Sequence, residues 1–123
     1  MKTYSFEKLQ VWQQAKVLTK NIYLITKEFP NDEKFGLTSQ LRRASVSVCS
    51  NLAEGSSRNS YKDKARFTEI AYGSLMEILN QLILSLDLEL INQNEYEQLR
   101  INIEEIGNML NGLRQSQLNN INK

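Results

Sequence analysis

Cations crowd the middle of the chain. Between Lys34 and Arg66 stand seven Lys or Arg side chains (Lys34, Arg42, Arg43, Arg58, Lys62, Lys64 and Arg66) against two acids, Glu54 and Asp63. Such side chains on an accessible surface are what phosphate binding requires. No zinc-finger spacing, RNA-recognition aromatic motif or clear helix-turn-helix accompanies them, so nothing here reads bases. Lys62 and Arg66 are four apart and share a helix face. Arg58, Lys62 and Arg66 are therefore predicted to meet phosphates without sequence preference, with Arg42 and Lys64 as further candidates. The competing reading is a solvated charged face. Residues 67–105 reverse the balance, with eight acids and one base, Arg100.

A second constellation is a polar line. Gln40, Arg43, Ser47, Asn51 and Glu54 step by three, four, four and three. Arg43 and Glu54 would be about 16 Å apart along one helix, too far for a direct pair. The line is either a ligand or nucleic-acid groove, or a structural network in which long polar side chains satisfy one another. The structural reading is preferred, and Arg43 is assigned to stability.

Catalysis has little to stand on. The chain has no histidine, which removes the commonest general base and metal ligand. Its one cysteine, Cys49, excludes an intrachain disulfide and a cysteine-cluster metal site. The carboxylate pairs Glu104–Glu105 and Asp87/Glu89 have no partner nucleophile or ligand pattern. Gly36, Gly55, Gly73, Gly107 and Gly112 are too dispersed for a phosphate loop. A non-enzymatic protein without metal or cofactor is expected.

The elements that position these residues are helices. The chain has 123 residues, five glycines and one proline, too few turn formers for an all-β fold. Apolar residues recur every three or four positions: Val11, Ala15, Leu18, Ile22, Ile25 and Phe29; Leu37, Leu41, Ala44, Val48 and Leu52; Phe67, Ala71, Leu75, Ile78, Leu82, Leu86 and Leu90; Tyr96, Leu99, Ile103, Ile106, Leu110 and Leu113. Steps averaging about 3.5 mark helices packed nearly antiparallel. Helices are predicted over about 6–28, 37–54, 60–91 and 93–116, followed by a frayed Asn-rich tail. Short connections make this an all-α, up-down-up-down four-helix bundle in a single domain. Gly55 is expected in a left-handed helix cap, and Ser60 and Asn92 as helix starts. Gly73, inside the third helix, is expected to allow close approach of another backbone or a large side chain, with Trp12 or the neighbours of Tyr72 as candidates.

Two helices are apolar beyond their core stripe. Val46, Cys49 and Ala53 lie 100–160° from the stripe of the second helix, by the ~100° turn per residue. Ile70, Met76, Ile83, Leu84 and Leu88 lie off the stripe of the third. A helix apolar on two faces is packed on two faces, so a homo-oligomer is expected, with Val46, Cys49 and Ala53 as candidate interface. The opening residues lack the apolar core of a signal peptide, and no stretch approaches a membrane span, so a cytoplasmic protein is expected.

The segment SQLRRASVSVCSNLAEGSSR, residues 39–58, carries a resemblance, as do AYGSLMEI at 71–78, FEKLQVWQQA at 6–15 and FPNDEKFGL at 29–37. Together they resemble the four-helix-bundle family of 23S rRNA-intervening-sequence proteins, which are similar to accessory variability determinant proteins of diversity-generating retroelements. The resemblance covers about residues 6–113. It rests on Arg42-Arg43-Ala44, Asn51-x-Ala53-Glu54-Gly55 and Gly73-Ser74-x-x-Glu77. It implies a homopentameric ring, RNA or DNA binding through a basic surface, and a protein partner such as a reverse transcriptase. The function expected is a homo-oligomeric bundle binding nucleic acid through its basic face. The alternative is a protein-binding adaptor or scaffold that binds no nucleic acid.

Overall fold

The computed structural model describes residues 1–121. Four helices form an antiparallel bundle: α1 (Gln10–Thr26), α2 (Leu37–Ser56), α3 (Tyr61–Asp87) and α4 (Gln93–Asn119). The predicted stripes face inward. Leu18, Ile22, Leu41, Val48, Leu75, Ile78, Leu82, Ile103, Ile106 and Leu110 are all buried to within 1% exposure. Their spacing is that of helices crossing at shallow angles, where knobs on one helix fill holes on its neighbour.

The ends of the helices depart from prediction for local reasons. Residues 5–8 form a 3-10 turn, because Leu9 is extended and α1 begins only at Gln10. Phe6 still packs edge-on against Trp12, with ring centroids 5.1 Å apart. Helix α3 ends at Asp87, not near residue 91. Its last turn closes with Leu90 N–H donating to Ser85 O (2.9 Å) and Glu89 N–H to Leu86 O (3.0 Å), with Glu89 in the left-handed region at φ 60°. This double bond pattern usually takes glycine at the left-handed position. At its other end α4 continues through Asn119 instead of fraying near residue 116; Asn122 and Lys123 of the expected frayed tail lie outside the described residues. The helix starts agree with prediction. Ser60 Oγ accepts from Asp63 N–H (3.1 Å), and Asn92 and Glu95 cap one another reciprocally.

Gly55 is not a left-handed cap. It lies in the last turn of α2, buried against α3, where an added Cβ would stand 2.8 Å from Phe67 Cβ. Gly73 has no close partner either. It is exposed on α3, and nothing lies within 4 Å of where its Cβ would be, neither Trp12 nor a neighbour of Tyr72.

Candidate nucleic-acid interface

The polar line of α2 meets a matching line on α3. Gln40, Arg43 and Ser47 face Ser74, Glu77 and Gln81 across a groove of about 380 Å³. Ser47 and Ser74 hydroxyls bond at 2.8 Å, and Asn51 Nδ2 donates to Ser47 O (2.8 Å) and Oγ (3.1 Å). Glu54 leaves the line and lies 3.9 Å from Arg58 one turn on. Gln81 is buried, and its Oε1 has no partner among the described residues. The α3 half of this groove is not part of the polar line that the sequence shows on α2. Its signal was the step of three and four from Ser74 to Glu77 to Gln81, which continues an apolar-looking helix with polar groups.

The two adjacent arginines are placed otherwise than expected. Arg42, half-buried, donates from Nε to Thr26 Oγ1 (2.9 Å) and lies 4.7 Å over the Tyr23 ring, tying α2 to α1. Arg43, expected to be structural, is exposed and forms no ion pair among the described residues. Neighbours on a helix point 100° apart, and here the inner direction belongs to Arg42.

At the opposite end of α2, four basic residues surround the connection to α3. Arg58 lies 4.6 Å over the Phe67 ring, and Arg66 lies 5.8 Å from the same ring. Lys62 is exposed on the first turn of α3. Lys64 turns inward and donates from Nζ to Ser56 O (3.1 Å), closing the connection. Arg58, Lys62 and Arg66 therefore remain at the surface, while Lys64 spends its charge on the backbone. Arg42, sixteen residues before Arg58, is about 24 Å away along α2 and belongs to another surface.

The candidate interface residues of α2 do not form one outward face. Val46 is exposed and Ala53 half-buried, but Cys49 packs on the core, its Sγ 3.4 Å from Thr19 Oγ1 of α1. Burial pushes the Cys49 thiol above its ordinary value, opposed in part by the Thr19 hydrogen bond. Met76 also packs on the core. Apolar residues stay exposed on every helix, Val17 and Leu24 on α1, Val46 on α2 and Ile101 on α4 among them; on α3, Ile70, Leu84 and Leu88 fall on one line with Gly73 and Glu77, and Ile83 is exposed off that line.

A model of the 23S rRNA-intervening sequence protein family matches residues 7–112. The chain belongs to that family. The chain is similar in fold to a crystal structure of a protein of unknown function from the S23 ribosomal protein family of Bacteroides thetaiotaomicron. The two are 24% identical with a TM-score of 0.79, over 85% of this chain and 95% of the other. No curated protein matches the sequence. In this family member the motif residues Arg43, Ser74 and Glu77, remote in sequence, converge on the α2–α3 groove. Among its described residues no cluster of three His, Cys, Asp or Glu could hold a metal ion. No described helix is long and apolar enough to cross a membrane.

Proposed function

We propose that this bundle is a non-catalytic, self-associating protein of the cytoplasm that binds RNA or DNA without sequence preference through Arg58, Lys62 and Arg66. The observation that carries this reading is the grouping of those three exposed cations at one surface, where α2 hands over to the first turns of α3. Among the described residues, Glu54 is the one anion paired with these cations. At 3.9 Å and with both side chains about half exposed, that pair holds Arg58 weakly. Self-association is supported by the line Ile70, Gly73, Leu84 and Leu88, which the isolated chain leaves in water. A ring, of five copies by the family resemblance, would repeat the basic surface and raise avidity without new contacts. A reverse transcriptase remains the protein partner that the resemblance suggests.

The test is retention of labelled RNA and DNA at rising salt, with mass measured by light scattering. Binding should weaken steeply with salt, because phosphate contacts release counterions. Lys62→Glu with Arg66→Glu should abolish it and leave the melting temperature nearly unchanged. Absence of salt-sensitive retention at low ionic strength would leave a protein-binding adaptor as the reading.

A further inference from the structure

The turn between α1 and α2 exposes a large ring where a folded protein ordinarily hides one. Phe35 is 88% exposed, directly after Lys34 and just before α2. Beside it opens a cleft of about 510 Å³ whose lining includes Tyr23, Lys34, Phe35, Arg42, Arg43 and Val46. Three of those side chains are cations and none is an acid. The turn before it carries two acids: Asp32 is exposed, and Glu33 Oε1 accepts from Leu37 N–H at 3.1 Å, at the start of α2.

The cleft is also prepared. Arg42 is fixed by Thr26 Oγ1 and by Tyr23 O at 3.4 Å, so its guanidinium plane and the Tyr23 ring form a rigid wall. Lys34 Nζ stands 5.6 Å from the Phe35 ring. Arg43 is exposed, forms no ion pair among the described residues, and stands at the junction of this cleft with the α2–α3 groove. An exposed aromatic ring flanked by cations is the combination that holds single-stranded nucleic acid. Every base has a π-face to stack on a ring, and the charges track the phosphates between bases. A duplex keeps its bases stacked on each other and has none to offer.

We propose that Phe35 is a stacking platform for an unpaired base of single-stranded RNA or DNA, with Lys34 and Arg43 on the flanking phosphates and the Tyr23–Arg42 wall as a second planar surface. The proposal rests on the nucleic-acid reading above but concerns the opposite end of α2. It gives the protein a preference for single strands that the Arg58, Lys62 and Arg66 surface cannot provide.

The experiment uses fluorescence anisotropy with labelled 20-nucleotide poly(U), poly(dT) and a DNA duplex of equal length. The full chain is compared with Phe35→Ala, Phe35→Tyr and the Lys62→Glu/Arg66→Glu pair. Phe35→Ala should weaken both single strands about tenfold and leave the duplex unchanged, the loss of one base stack. Phe35→Tyr keeps a ring and should restore binding. The double charge reversal should abolish binding of all three ligands. Single-strand binding that is unaffected by Phe35→Ala would overturn the platform while leaving the basic surface standing. No binding by the unmodified chain would overturn both. A change in assembly mass in Phe35→Ala, measured by light scattering, would make the ring a contact between copies and overturn the stacking role. A loss confined to poly(U) or to poly(dT) would overturn a platform that stacks any base.

Discussion

The same substitution at two glycines should change stability in opposite directions. Alanine in place of glycine in a helix gains up to about 1 kcal/mol of propensity. At Gly73 nothing opposes that gain, since no atom lies within 4 Å of the added methyl. At Gly55 the methyl meets Phe67 Cβ at 2.8 Å and Lys64 O at 3.6 Å. Ordinary carbon contacts lie at about 3.5–4.0 Å, so α2 and α3 would have to part by most of an ångström. Phe67 Cβ is fixed to the backbone and cannot swing aside. Overpacking of this kind costs about 1–3 kcal/mol, and Gly55 sits in the last turn, where the propensity gain is smallest. The expected net effect is a loss of about 1–2 kcal/mol for Gly55→Ala. For Gly73→Ala it is a gain of about 0.5–1 kcal/mol in the bundle itself. For a chain of this length each kcal/mol moves the melting temperature by about 3–5 °C. Urea unfolding followed by far-ultraviolet circular dichroism, at matched protein concentration, measures both. A Gly55→Ala protein as stable as the unmodified chain would refute the close-approach argument. Light scattering on Gly73→Ala adds a second reading: a gain in bundle stability with loss of assembly would put Gly73 at the contact between copies.

Other substitutions test single contacts. Gln81→Met removes a buried amide whose Oε1 has no partner among the described residues, and should raise stability by about 1 kcal/mol in urea unfolding. Thr26→Val takes away the acceptor of Arg42 Nε and should cost about 1–2 kcal/mol, while Arg43→Ala should stay within about 0.5 kcal/mol in the same assay. Cys49 keeps its proton longer when folded than when unfolded, because burial raises its pKa. The folded state then binds more protons than the unfolded one above about pH 8.5, and stability must fall as pH rises. Unfolding free energies measured from pH 7 to 10 should therefore decline more in the unmodified chain than in Cys49→Ala.

The bundle was legible because each helix repeats an apolar stripe without interruption, and that period admits no strand. Boundaries failed where a residue took an unaccustomed place. The turn after α3 has no glycine, since Glu89 occupies the left-handed position, so the helix read four residues too long. Gly55 read as a cap because glycine after a helical run usually is one. Its contact with Phe67 exists only once α3 has folded back. The inward placement of Arg42 has the same origin. Helix geometry sets the angle between Arg42 and Arg43, but Thr26 and Tyr23, which decide the inner direction, belong to another helix. Half of the polar groove was visible in α2, and its floor on α3 required the fold. The exposed ring of Phe35 stood in plain view in FPNDEKFG, although no periodicity draws attention to a loop.

The way the helices adjoin has a kinetic consequence. α2 packs most extensively on α3, the helix that follows it through the short connection 57–60, while α1 against α4 is the least extensive helix seam and the one most distant in sequence. Folds dominated by neighbouring contacts close small loops and form within microseconds to milliseconds. The α2–α3 hairpin can be complete while α4 is still leaving the ribosome, and the α1–α4 seam must close last. By the same logic it opens first: amide exchange should be fastest for the backbone on either side of that seam, and slowest where α2 and α3 meet around Gly55.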